Sequence, residues 1–118
     1  MERNQILEKM LEITKNIETA KTNQLKVADS LSELWNKYNK IAFEVEKEVY
    51  DNKEVKMTAD ERAFAIKYNK QNNEELQLIM NDINIKNAEK SEVEKDLSIL
   101  ELQFKSYRTA YGLMVSDF

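Results

Sequence analysis

The fold of this chain is decided by ILEKMLEITKNIETAKTNQLKVADSLSELWNKYNKIAFEV, which covers residues 6–45. Twelve positions in this stretch follow one another in alternating steps of four and three residues, and eleven of the twelve are apolar. The positions are Ile6, Met10, Ile13, Ile17, Ala20, Gln24, Val27, Leu31, Leu34, Tyr38, Ile41 and Val45. Such spacing is typical of the apolar seam of a heptad helix. It predicts one helix from about residue 3 to about residue 50.

The second half of the chain repeats this spacing after a stretch, 51–58, in which the pattern is lost. Thr58 and Glu61 form a capping box, which predicts a helix start at about residue 59. The series then runs through Ala65, Asn69, Asn72, Leu76, Ile79, Ile83, Lys86, Lys90, Val93, Leu97, Leu100 and Phe104. We therefore expect a second helix over about 59–111 and a connecting loop over 51–58.

Folding the chain back at this loop pairs the two series in antiparallel order. Leu34 then faces Leu76, Tyr38 faces Asn72, and Arg3 faces Tyr107. In this single register, most apolar positions of one helix face apolar positions of the other, and the less apolar positions of the two helices also face each other. The predicted fold is therefore all-α: a long antiparallel helical hairpin of the coiled-coil type, forming a single domain over 1–118.

Two details of the second helix stay open at this point. Ser91 and Glu94 form a second possible capping box, which would break the helix near 87–91; the alternative is that both are surface residues of a continuous helix. Near the loop, Phe64 and Tyr68 fit the seam better than Ala65 and Asn69. This predicts that the phase of the pattern slips at that end.

Each helix also carries more apolar residues than a two-helix hairpin needs. Apolar residues separated by multiples of seven positions form a further line on each helix. On the first helix they are Leu7, Ala28, Trp35, Ala42 and Val49, and on the second they are Phe64, Leu78, Ile85, Ile99 and Leu113. Faces this wide favour a bundle of three or four helices. We therefore expect another copy of the chain, or another helical protein, to complete the bundle.

The tail, YRTAYGLMVSDF over 107–118, overhangs the first helix in the predicted register. It is the most apolar and aromatic part of the chain, a composition common at protein-binding surfaces, and Gly112 could end the helix there. Contact with a partner and folding back as a cap both remain open. The candidate partner-binding residues are Trp35, which lies beside the seam, and Tyr107, Tyr111, Leu113, Met114, Val115 and Phe118 in the tail.

The composition argues against catalytic chemistry. The chain has no His, no Cys, no Pro and a single Gly, so the common nucleophile–base pairs, zinc sites and phosphate loops cannot be built. We predict no enzyme activity, no cofactor and no metal. With no signal peptide and no apolar run near the ~20 residues of a membrane helix, we expect a cytoplasmic protein that does not insert into membranes. Export without a cleaved signal and a place in a virion stay open.

These observations favour a non-catalytic protein–protein interaction module: an adaptor, assembly protein or minor structural protein. The Lys- and Asn-rich composition suits a low-GC bacterium or its phage.

A first alternative is a small secretion partner, because the size and hairpin shape are similar to those of WXG-type helical export proteins. Trp35-Asn36-Lys37 lacks the Gly of the WXG motif, so no functional residues of that family are assigned to this chain. A second alternative is a nucleic-acid binder that uses the repeated KYNK tetrads at 37–40 and 67–70. The net charge of −4 argues against it.

Overall fold

The computed structural model describes residues 2–116 and confirms the all-α hairpin. Helix α1 spans Arg3–Asp51, α2 spans Ala59–Gln71 and α3 spans Glu74–Ser116. No strand occurs within residues 2–116. The helix ends that flank the connecting loop lie within one residue of the predicted ones.

The chain divides into two compact units. One consists of the chain up to Ala28 together with the chain from Ala88 onward, and the other consists of Asp29–Asn87. In the first unit, the start of α1 contacts the end of α3 through Arg3 and Tyr111. In the second, Tyr50 contacts Arg62 and Glu46 contacts Lys70. The helices within each unit are therefore antiparallel.

Six of the eight buried residues of α1 belong to the heptad series predicted from the sequence, and Ala42 and Val49 do not. In the first unit the buried residues are Ile6, Ile13, Ala20 and Val27; in the second they are Leu31, Ala42, Val45 and Val49. Gln24, the polar member of the series, is half-buried. An uninterrupted apolar seam, with no Pro in the chain to break the backbone hydrogen bonds, accounts for a helix of 49 residues.

The capping box at the start of α2 is confirmed. Thr58 has an extended backbone, and its hydroxyl accepts a hydrogen bond from the Glu61 amide at 3.2 Å. Asp60 and Glu61 lie in the first turn of α2, where the positive end of the helix dipole favours acidic side chains. This local chemistry starts the helix where the sequence predicts it.

Of the two alternatives left open near 87–91, the structure has the continuous helix, and the helix break lies at Asn72–Asn73, where the sequence did not predict one. The Asn73 side-chain oxygen accepts a hydrogen bond from the Leu76 amide at 3.0 Å, as an N-cap residue does. Glu94 instead lies 4.0 Å from Lys90, one turn earlier on the same helix. Asn favours a helix end over a helix interior because its short side-chain amide forms hydrogen bonds with nearby backbone groups.

The predicted register is also wrong, by one helical turn or more. Arg3 contacts Tyr111 rather than Tyr107. In the other unit, Leu76 packs in a cluster with Ala42 and Val45, against which Tyr38 packs too; Leu76 was expected to face Leu34. Residues four apart lie on the same face of a helix. A heptad pattern therefore fixes the face of each helix but leaves two registers that differ by one turn nearly equivalent.

The predicted phase slip that would bring Phe64 and Tyr68 into the seam does not occur. Phe64 is 71% exposed and Tyr68 is 57% exposed. Ala65 and Ile66 are half-buried instead. The break at Asn72–Asn73 sets the rotation of α2 independently of α3, so the pattern of α3 does not extend into α2.

Candidate protein-interaction surface

The C-terminal segment continues α3 instead of leaving it. The sequence predicted a helix end at about residue 111 with a turn at Gly112, but α3 runs to Ser116. None of the described residues has a positive φ, so Gly112 does not take the left-handed conformation that ends many helices. A Gly within a helix costs only about 1 kcal/mol relative to Ala, which the contacts around it can offset.

One aromatic residue of this segment is tied to the beginning of the chain. The Arg3 guanidinium donates a hydrogen bond to the Tyr111 hydroxyl at 3.1 Å, and its central carbon lies 5.5 Å from the ring centroid. The sequence left partner contact and self-capping open for this segment. Tyr111 forms a contact within the chain, so this residue has the geometry of a cap.

The other candidate residues of the segment differ in exposure. Tyr107 and Met114 are half-buried, and Tyr107 lines a shallow groove with Lys9 and Gln103. Leu113 is 64% exposed and Val115 is 41% exposed. Phe118 lies outside the described residues. The segment therefore presents aliphatic side chains outward and aromatic side chains toward the hairpin.

Trp35, the remaining candidate, lies at the edge of the seam in the second unit. It is 40% exposed, and its ring meets that of Tyr38 edge-to-face, with centroids 5.5 Å apart. Tyr38 itself packs against the core cluster. One side of the indole is therefore fixed by an intramolecular aromatic contact, and the other is accessible.

In the first unit, exposed apolar residues recur on one side of each helix. Leu7 and Leu25 are 18 residues apart on α1, which is five full turns; Leu7 is 41% and Leu25 is 67% exposed. Leu11, one turn after Leu7, is 59% exposed. On α3, Ile99 is 45% and Leu102 is 65% exposed. We call these side chains, together with Leu113, the outer apolar line of the first unit.

The second unit shows the same feature, although the predicted stripe on α1 holds only in part. Ala42 and Val49, placed on that stripe, are buried in the hairpin. Other apolar residues of α1 are exposed, namely Phe43 and, two turns later, Tyr50. On α3, Leu78 and Ile85 are 66% and 52% exposed, as a second apolar face requires. These four exposed residues form the outer apolar line of the second unit.

The two KYNK tetrads do not form a uniform basic site. Lys70 is half-buried and pairs with Glu46, whereas Lys37, Lys40 and Lys67 are exposed. Of the two tyrosines, Tyr38 is half-buried and packs against the core, and Tyr68 is exposed. The copies therefore occupy different environments, and one of the four lysines is neutralised.

Sequence reasoning found only part of the aromatic surface of α2: it placed Phe64 on the second apolar line, but it also placed Phe64 and Tyr68 in a slipped seam. The Phe64 and Tyr68 rings are stacked, with centroids 6.4 Å apart and an angle of 19° between their planes. Beside them, the Arg62 guanidinium lies 4.8 Å from the centroid of Tyr50. The i, i+4 spacing of Phe64 and Tyr68 was the available signal. It was interpreted as part of the seam because aromatic residues are usually buried.

Within residues 2–116, no group of three or more acidic side chains is arranged to hold a metal ion. None of the described helices combines the length and apolar character that crossing a membrane requires. The surface features of the described chain are therefore its two outer apolar lines, the aromatic pair on α2 and the outward side chains near the end of α3.

The chain was also compared with known proteins. No family model, no curated protein and no solved structure matches it.

Proposed function

We propose that this protein is a non-catalytic interaction module that binds a helical partner, either a further copy of itself or another protein, through its outer apolar lines and the end of α3. One observation carries the proposal. Ten hydrophobic residues of the described chain are buried, whereas fifteen large hydrophobic side chains are 40% exposed or more. The described chain therefore leaves more large apolar side chains exposed than it buries completely.

Isolated exposed apolar residues are normal on a protein surface. These residues differ because they recur at whole-turn spacings: Leu7 and Leu25 on α1, and Leu78 and Ile85 on α3. A helix that packs on one side only needs one apolar stripe, and a second stripe is typical of a helix in a bundle. Burying one Leu side chain fully is worth about 1.5–3 kcal/mol, so a few such contacts support a stable complex.

The solution mass of the purified protein, measured over a range of concentrations, tests this proposal. We expect a mass above that of one chain, or a one-chain mass together with capture of a helical partner. Leu25→Lys and Leu102→Lys place charges on the outer line of the first unit and should abolish the association.

Matched controls lie next to both positions. Asn23→Lys adds the same side chain at an exposed position on another side of α1. Gln103→Lys adds it at an exposed residue that lines the groove with Lys9. Both controls should associate as the unmodified chain does. A one-chain mass at all concentrations, with partner capture unchanged in Leu25→Lys and Leu102→Lys, would remove the proposal.

A further inference from the structure

Helix α2 is the least anchored helix of the second unit. It has 13 residues, none of them buried, and helices of about 12–15 residues are marginal in water unless packing supports them. The neighbouring parts of the unit differ: Val45 and Val49 of α1 are buried, and so are Leu76 and Ile83 of α3.

The face by which α2 docks is the less apolar of its two faces. Four half-buried residues mark the docked side: Arg62, Ala65, Ile66 and Lys70. The largest apolar side chains, Phe64 and Tyr68, lie on the exposed side. Apolar burial is normally what fixes a helix in place, and here only Ala65 and Ile66 supply it.

Two polar contacts hold α2 against α1. Near its start, the Arg62 guanidinium lies over the Tyr50 ring. Near its end, Lys70 pairs with Glu46, and both side chains are partly exposed. Cation–π contacts and ion pairs at partly exposed positions contribute little to stability.

The two contacts bracket a buried residue of α1. Glu46 and Tyr50 flank Val49, which is 8% exposed. Val45, one turn earlier, packs in the cluster with Leu76 of α3. Departure of α2 would therefore expose Val49, while Leu76 would keep Val45 covered.

The junction between α2 and α3 allows such a movement. Asn73 caps α3 by itself, because its side-chain oxygen accepts from the Leu76 amide and its carbonyl accepts from the Gln77 amide. Thr58 caps the other end of α2. When the chain swings at Asn72, these two N-caps are kept. The C-terminal bonds of α2, in which the Asn72 amide and side chain both donate to the Tyr68 carbonyl, are lost. Two further hydrogen bonds cross the junction, from the Asn73 amide to the Lys70 carbonyl and from the Gln77 side chain to the Gln71 carbonyl, and departure of α2 breaks both.

We propose that α2 is a displaceable strap: it separates from α1 about Asn72–Asn73 while α1 and α3 stay folded, and its departure uncovers Val49. The open form exposes the Val49 side chain on the last turn of α1. The strap shares Tyr50 with the outer apolar line of the second unit, whereas Val49 and the Lys70–Glu46 pair lie outside that line.

Amide hydrogen exchange on the full chain tests the first part. Amides of α2 should be protected on the order of 100-fold less than those around Leu76–Ile83, because local opening requires less free energy than global unfolding. Equal protection of the two helices would show that α2 opens only when the whole unit unfolds, and would overturn the proposal.

Thiol labelling tests the second part, since the chain has no Cys of its own. Val49→Cys should react at least about tenfold faster than Ile83→Cys, a matched buried position in the same unit that α2 opening leaves covered. Adding Glu46→Gln should accelerate labelling at position 49 by up to about fivefold and leave position 83 unchanged. Equal labelling rates at positions 49 and 83, changed to the same extent by Glu46→Gln, would contradict local opening.

Discussion

Leu76 and Leu78 offer a direct test of the helix rotation and of the core. They are two residues apart on α3, but Leu76 is 2% exposed and Leu78 is 66% exposed. Replacing each with Ala removes the same atoms from the two environments. The difference between the variants therefore measures burial, because the change in helix propensity is the same for both.

The expected magnitudes follow from these exposures. Leu76→Ala deletes a side chain packed against Ala42 and Val45 and leaves a cavity, which should cost about 3 kcal/mol. Leu78 is 66% exposed, so Leu78→Ala deletes a side chain that protein covers over only about a third of its surface, which should cost about 0.5 kcal/mol. The gap of about 2.5 kcal/mol corresponds to a roughly 60-fold difference in the unfolding equilibrium constant.

Urea denaturation followed by far-ultraviolet circular dichroism would measure both variants. The midpoint should fall clearly for Leu76→Ala and little for Leu78→Ala, with the slope of the transition unchanged. The measurement belongs at a concentration where the mass is that of one chain, because Leu78 lies on the outer apolar line of the second unit. Equal midpoint losses for the two variants at that concentration would refute the rotation of α3 described above.

Three further substitutions test individual features. Gly112→Ala should stabilise the protein by about 0.5–1 kcal/mol in urea denaturation, because Gly112 is helical and a Cβ there meets nothing within 4 Å; a loss of stability would contradict a continuous α3. Asn73→Ala should cost about 1 kcal/mol by removing the cap on the Leu76 amide, and Asn73→Asp should retain most of it; similar losses in both would argue against capping. Tyr111→Ala should increase amide exchange in the last turns of α3 by releasing Arg3, whereas Tyr111→Phe keeps the ring and should change it less; unchanged exchange in Tyr111→Ala would show that the contact does not hold this segment.

Part of the candidate surface was predictable from the sequence. The apolar line through Leu78, Ile85 and Ile99 was expected, and all three are exposed. Heptad spacing identifies such a line without knowledge of the fold. The aromatic pair on α2 was not predictable in the same way, because an apolar side chain at the right spacing fits a seam and a surface equally well. Only the rotation of α2 distinguishes the two.

The sequence by itself determined α1, the start of α2, the antiparallel order and most of the buried face of α1. Strict four-three spacing from Ile6 to Val45 leaves one way to bury apolar side chains on a helix, and the Thr58–Glu61 capping box marks where the next helix begins.

Only the tertiary structure decided the register, the position of the break and the orientation of α2. Alignments of α1 against α3 that differ by one turn bury the same helix face. The spacing of apolar residues therefore does not distinguish Tyr111 from Tyr107 as the contact of Arg3, and the packed structure does. Similarly, the local sequence allows either Asn73 or Ser91 to serve as the N-cap of a helix. The chain breaks at Asn73, where the Asn73 cap is followed by Leu76 packed with Ala42 and Val45, whereas α3 is continuous through Ser91.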